Sequence, residues 1–328
     1  MMIKKICNDP ENVVQEAMEG FFLSDNDRQS EVVPGTKFIV RKPEFRKEKG
    51  KVKIVGGGGS GHEPVLFTMV GRYGNDLMVA GEFFAAPAWK QLYDGIKYVD
   101  DGSPILINTS SHAGDILNSR MAFQMLEAQG VNVRMHIDWS DVASAPRERI
   151  SERRGLMGSL GRIVGIAAEE GCDLDEVVRL ADKARDNNGS YAVGIRSAIN
   201  PITGEVIMPM KDDEIELGIG QHGESSGVTM KMPTSKELAR HMADTIIDDM
   251  GFEKGDELVV NVNNLGGLTY MEMGIFYRDL YHYLTEDRGF KIFDGRFGPG
   301  VTTQELAGMI LSLGKVDDDI RKYWTPNT

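Results

Sequence analysis

Short apolar runs alternate along the chain with stretches in which apolar residues recur every three to four positions. The runs at 52–55, 77–80, 105–108 and 131–137 have strand length. Between the last two, Ile116, Leu117, Met121, Met125 and Leu126 repeat at helical spacing, which predicts a helix over 113–130. Strand, helix, strand in repetition implies a parallel α/β sheet. An earlier helix is predicted over 13–22, with Asp9 as N-cap and Pro10 at the first helical position. Helices are also predicted over 155–170 and 174–185, after which Asn187-Asn188-Gly189 breaks the pattern with turn chemistry. A second series follows, with strands at 191–195, 217–221 and 257–262 and helices at 235–250 and 269–284. The expected fold is two α/β domains, residues 1–186 and 187–328, each with a mostly parallel sheet flanked by helices.

Length and charge narrow the function classes. The 328 residues suffice for two domains, and 41% hydrophobic content is ordinary for globular chains. A formal net charge of −13 disfavours nucleic acid or an anionic membrane as partner, despite the local basic stretch at 147–154. Cys7 and Cys172 are too few and too isolated for a disulfide framework or a thiolate metal site, and both read as buried small apolar residues. Residues 1–10 lack an apolar leader core, and no run of 18 apolar residues occurs, so a cytoplasmic protein is expected.

Four segments could carry chemistry. Gly56-Gly57-Gly58-Gly59-Ser60-Gly61-His62-Glu63-Pro64 follows the strand ending at Val55. It satisfies G-x-G-x-x-G, with Asp76 about 20 positions on, so a dinucleotide site has to be weighed. His62 and Glu63 argue against it, since a titratable pair beside glycines suits chemistry on a small polar ligand. Ser110-Ser111-His112-Ala113-Gly114-Asp115 again sits after a parallel strand, where ligands of open sheets bind, although Asp115 alone could be a helix N-cap. Gly218-Ile219-Gly220-Gln221-His222-Gly223-Glu224 sets a histidine between glycines, and Asn263-Asn264-Leu265-Gly266-Gly267 follows a fourth strand. His136, His241 and His282 fall on strand or helix patterns and read as structural. No histidine spacing matches a metal motif.

Together these segments resemble the K subunit of dihydroxyacetone kinases. The match runs along nearly the whole chain, through Asn8-Asp9-Pro10, Gly57 to Pro64, Gly114 to Asn118, Arg153-Arg154-Gly155, Glu216 to Glu224, Val262 to Gly266 and Lys315 to Asp318. The resemblance implies that His222 captures a ketone carbonyl as a covalent hemiaminal, and that His62 and Asp115 bind and deprotonate the hydroxyl to be phosphorylated. It places Gly58, Gly59, Ser60, Gly61, Ser110 and His112 around the substrate. It also implies a homodimer with no cofactor in this chain. ADP or Mg-ATP then sits on a separate L-type subunit, supplied by ATP or by a phosphotransferase-system donor. Many relatives carry a lysine where this chain has Ser110, so a related ketose such as erythrulose, or a ketose sensor acting on a transcription regulator, is the alternative to a dihydroxyacetone kinase. A nicotinamide oxidoreductase is the remaining reading.

Overall fold

The computed structural model describes residues 4–24 and 28–325; residues 1–3 of the amino-terminal stretch lie outside it. Six strands build the first sheet: β1 (Ser30–Val32), β2 (Phe38–Arg41), β3 (Lys53–Ser60), β4 (Leu77–Phe83), β5 (Ile105–Ser110) and β6 (Val133–Asp138). They lie in the order β1-β2-β4-β3-β5-β6. The run from β4 to β6 is parallel, and β1 and β2 join its edge through antiparallel pairings. Helices α1 (Val13–Leu23), α2 (Val65–Thr68), α3 (Trp89–Val99), α4 (Ala113–Glu127), α5 (Arg162–Glu170) and α6 (Leu174–Asp186) accompany this half.

The second sheet departs from expectation. Its strands are β7 (Asn188–Arg196), β10 (Glu214–Leu217), β11 (Val228–Lys231), β12 (Glu257–Asn264), β13 (Lys291–Gly298) and β14 (Ala307–Lys315), with β8 (Ala198–Ile199) and β9 (Val206–Ile207) as a separate hairpin. In the order β11-β10-β7-β14-β12-β13, only β12 and β13 pair in parallel. The sheet is therefore mostly antiparallel: a parallel neighbour needs a crossover, and β12 and β13 are its one pair of consecutive strands that are neighbours across a helix. That helix is α8 (Tyr270–His282), while α7 (Ser235–Met250) leads into β12 and α9 (Asp318–Lys322) follows β14.

Three hydrophobic layers join these parts. Val55, Val79 and Ile107 of the first sheet pack with Leu92 of α3 and Leu126 of α4. The opposite face, with Ile54 and Leu106, packs on Ile163 and Ile166 of α5 and Val177 and Leu180 of α6. That same cluster takes in Val259 of β12 and Ile320 of α9, so α5 and α6 lie between the sheets. On the far side Val260, Val262 and Leu311 bury Met242, Ile246 and Phe276 of α7 and α8. Strand membership changes at Asn187, yet the middle core does not divide there.

Local corrections have local causes. The helix predicted from 155 begins only at Arg162, and Gly155 lets the chain pass so near Ser110 that a Cβ would fall 2.1 Å from its Oγ. The strand predicted over 217–221 is β10, which ends at Leu217 because Gly218 takes a φ of +67° and turns the chain. Cys7 and Cys172 are half-buried rather than buried. Among the described residues no helix is long and apolar enough to cross a membrane.

Candidate active site

The glycine run proves to be part of β3 rather than a loop after it. A Cβ on Gly56 would stand 2.7 Å from the Asn108 carbonyl oxygen, on Gly57 2.8 Å from Pro87 Cγ, and on Gly59 2.9 Å from the Ala85 nitrogen. These glycines admit neighbouring protein. Gly58 is different, for its Cβ would meet only Leu66 Cδ2 at an ordinary 3.5 Å. The four-residue α2 that follows is no dinucleotide-binding helix. Asp76 is equally unavailable to a ribose, since it accepts from Lys47 Nζ at 2.8 Å and from the Ile54 N–H at 2.8 Å, with Arg41 Nε at 3.2 Å. The dinucleotide reading fails on this geometry.

The strand end delivers His62. Gly61, at φ +99°, turns the chain and donates its N–H to both Glu63 carboxylate oxygens at 3.0 Å. His62 is buried, and its Nδ1 lies 2.7 Å from the Thr302 carbonyl oxygen. A carbonyl only accepts, so Nδ1 carries the proton and Nε2 keeps its lone pair. That Nε2 is buried without a hydrogen-bond partner. Desolvation, aided by the nearby His222, pushes the imidazole down to about 3, so His62 is neutral at physiological pH. Phe84, at the unusual φ of +52°, stacks on its ring with centroids 4.8 Å apart.

At the end of β5, His112 is the N-cap residue of α4, and Ala113, Gly114 and Asp115 form its first turn. Asp115 is therefore not the cap, although a carboxylate in the first turn is favoured by the helix dipole. Its Oδ1 is buried without a partner, and its Oδ2 is 3.7 Å from His112 Nδ1, beyond hydrogen-bond reach. Burial raises the carboxyl to about 6 against the pull of His222. His112 shares a 2.9 Å hydrogen bond with Ser110 Oγ, and its Nε2 is also buried and unpartnered. Desolvation pushes this imidazole down to about 4.

The second sheet contributes His222, on the turn after β10. Gly220 N–H donates to the Glu224 carbonyl at 2.9 Å, and the Glu224 carboxylate accepts both the His222 N–H at 2.8 Å and, at 2.7 Å, the His222 Nδ1 proton. Burial opposes ionisation of Glu224, but these His222 interactions outweigh it and hold the carboxyl at about 2. Arg154 fixes the turn from below, paired with fully buried Asp141 at 2.7 Å and donating to the Gly218 carbonyl at 3.2 Å.

The three imidazoles meet. His222 lies 4.7 Å from His62 and 5.3 Å from His112, ring centre to ring centre, and 5.0 Å from Phe84. Asp115 shares with them a cavity of about 870 Å³, which Gly57, Gly58, Gly59, Ser110 and Gln221 also line. Ser60 and Gly61 are not among the lining residues, and Ser60 Oγ donates to the Gly81 carbonyl at 2.8 Å. Among the described residues no group of three or more His, Cys, Asp or Glu is placed to hold a metal ion. His241 and His282 stand apart, near Tyr191 and Glu286 respectively, whereas His136, bonded to Asp182, lines the same cavity. In the fourth segment Asn263 and Asn264 are buried and hold the backbone of Val301 and Leu268.

Sequence reasoning missed Thr302, Phe84 and the part played by Glu224. Glu224 stood within a quoted motif, two residues from His222, and that spacing was the available signal. Nothing local marked Thr302, which reaches His62 across 240 residues.

Such an arrangement offers a nucleophilic imidazole, a neutral hydrogen-bonding imidazole and a carboxyl poised near neutrality around one space. Comparison with known proteins agrees on the kind of chain that carries it. A family model described as the Dak1 domain matches residues 19–328. The dihydroxyacetone-binding subunit of PTS-dependent dihydroxyacetone kinase 1 of Listeria innocua is 34% identical over 97% of this chain and 95% of its own. The corresponding subunit of Lactococcus lactis is 34% identical over 100% of this chain and 97% of its own. Among solved structures, the dihydroxyacetone kinase of C. freundii superposes with a TM-score of 0.86 at 26% identity, covering 98% of this chain and 58% of that one. With the family model spanning most of its length and relatives matched end to end, this chain belongs to the Dak1 domain family.

Proposed function

We propose that this chain is the ketose-binding subunit of a kinase that phosphorylates dihydroxyacetone or a related short ketose. The observation that carries the reading is the convergence of His222, His62 and Asp115 on one cavity from both sheets. With its Nδ1 proton directed to Glu224, His222 keeps the Nε2 lone pair for a carbonyl carbon. As the Nε2–C bond forms, the carbonyl π pair moves to oxygen, and the ring's Nδ1 proton ends, net, on that oxygen. The product is a neutral hemiaminal, which fixes an uncharged sugar and orients its terminal hydroxyl.

Asp115 is the base for that hydroxyl. A carboxyl at about 6 is ionised at neutral pH yet basic enough to take a proton in the transition state. Neutral His62 accepts a hydrogen bond from the substrate through Nε2. The phosphoryl group comes from a nucleotide on an L-type partner subunit: Mg-ATP gives its γ-phosphoryl to the hydroxyl oxygen and is left as ADP, which is either exchanged for ATP or rephosphorylated in place by a phosphotransferase-system donor, and this chain holds no cofactor of its own. The reading includes a homodimer in the cytoplasm. A ketose sensor would need capture but no base, and the buried, unpartnered oxygen of Asp115 favours the kinase over it.

The test is a panel of short ketoses with the chain alone and with its L partner. Mass spectrometry should find His222 heavier by one whole ketose, and phosphorylated ketose should form only with the partner present. Absence of any adduct across the panel, or micromolar binding of Mg-ATP by the chain alone, would overturn the proposal.

A further inference from the structure

The cavity continues beyond the histidines along β5 and β6. Their register pairs Leu106 with Arg134, Asn108 with His136 and Ser110 with Asp138. Because strand side chains alternate, these six share one face, the one that Leu106 turns toward α5 and α6. Leu106 is core, whereas Asn108, His136, Ser110 and Asp138 all line the cavity. The face changes from apolar to polar as the strands approach their carboxyl ends.

Two acceptors in this patch lack partners. Asn108 Oδ1 is buried and unbonded. The Asp138 side chain makes no hydrogen bond or ion pair among the described residues, and burial raises its carboxyl to about 6. Arg185 pulls on it electrostatically in the opposite sense, but that guanidinium is paired with Asp182 at 2.9 Å and Asp186 at 2.8 Å. His136 and Ser110 are also engaged, with Asp182 and His112 respectively. A buried acceptor left unpaired, as Asn108 Oδ1 is, costs roughly 1–3 kcal/mol, and with the half-buried Asp138 carboxylate on the same cavity wall the patch suits donors from a ligand. The reaction as read above uses neither Asp138 nor Asn108. The cavity, at about 870 Å³, falls within the size range of pockets for ligands much larger than a three-carbon sugar.

We propose that Asp138, with Asn108 beside it, is a specificity-determining pair that accepts hydrogen bonds from the hydroxyls of a ketose chain beyond the captured carbonyl. The consequence is preference for ketoses of four or more carbons over the triose. Hydroxyls fit because they donate and carry no charge; a phosphorylated chain would be repelled by the carboxylate. The inference rests on His222 as the anchor.

Titration calorimetry on the full chain, with dihydroxyacetone and with erythrulose, tests it. Erythrulose should bind roughly tenfold or more tighter, the effect of one hydrogen bond to a charged acceptor. Asp138→Ala should bring the ratio of the two affinities close to one, with melting curves recorded alongside. Should that variant fail to fold, the isosteric Asp138→Asn carries the test and should lower the ratio at least threefold. Equal affinities in the unaltered chain, as expected for a patch filled by water alone, would overturn the proposal. So would a variant in which both affinities fall together at a constant ratio. A chain that captures dihydroxyacetone on His222 but shows no length preference refutes only the Asp138 subsite. A chain that captures no ketose refutes the anchor, and the subsite falls with it.

Discussion

The two sides of the cavity are built on opposite principles. The first sheet brings its groups at the ends of parallel strands and leaves them unpaired, with His62 Nε2, His112 Nε2 and Asp115 Oδ1 all buried and unbonded. The second sheet, mostly antiparallel, brings one half-exposed histidine on a turn whose hydrogen bonds are nearly all made, by Glu224 and Arg154. Desolvation dominates on the first side and hydrogen bonding decides on the second. A nucleophile needs a fixed tautomer and a fixed position, which pairing provides. An acid–base group needs a shifted pKa and a free valence, which burial without pairing provides, at a cost to stability.

The comparison can be broken at its strongest point first. His222→Ala should abolish the covalent adduct and lower turnover with the partner subunit by more than about 10³-fold, because capture no longer positions the sugar. Melting temperature should fall only modestly, since the ring is half-exposed and loses only its contacts with His62, His112, Phe84 and Glu224; intact-mass and thermal measurements on the same sample check both. Asp115→Asn should keep the adduct and cut turnover by about 10²- to 10⁴-fold. Its signature is opposite in stability. The folded carboxyl at about 6 lies above its ordinary value of 3.8, so the unfolded chain loses this proton first. Stability from this group is present below about pH 4 and lost as pH rises through about 6, worth ~3 kcal/mol at most. The variant should therefore melt higher than the unaltered chain near pH 8 and not near pH 4. In the unaltered chain turnover should rise as pH climbs through about 6, and the asparagine variant should lack that limb.

Smaller effects sharpen the contrast. Glu224→Gln replaces the charged acceptor of His222 and should slow adduct formation roughly tenfold, read by stopped-flow or quenched mass spectrometry. An unchanged rate would show that the turn alone orients the ring. Gly57→Ala should destabilise by about 1–3 kcal/mol through collision with Pro87 and Val79, with adduct chemistry retained in the folded fraction. A variant as stable as the parent would contradict the close approach described for β3.

Much of the site was legible because it obeys a local rule. His62, His112 and Asp115 each follow a strand of a parallel sheet, and periodicity finds such strands. His222 was legible through its flanking glycines. What escaped is non-local. β14 is a buried central strand whose partners, β7 and β12, lie far away in sequence, and no helical crossover announces it. The antiparallel order of the second sheet escaped for the same reason. The glycines of β3 are expected to approach a ligand, and Gly57, Gly58 and Gly59 do line the cavity; what local reading misses is their packing on Asn108, Pro87 and Ala85, residues that only folding brings near.

One contact joins the two sides directly. His62 gives its Nδ1 proton to the Thr302 carbonyl, and Thr302 returns its N–H to the His62 carbonyl at 3.2 Å and its hydroxyl to Glu63 at 2.7 Å. Thr302 lies on the segment between β13 and β14, so the ring of His62 is clasped by the opposite half of the molecule. A main-chain carbonyl can only accept, so this clasp holds the proton on Nδ1 and leaves Nε2 bare. The segment between the last two strands of the second sheet thus dictates which nitrogen a first-sheet histidine offers to the cavity.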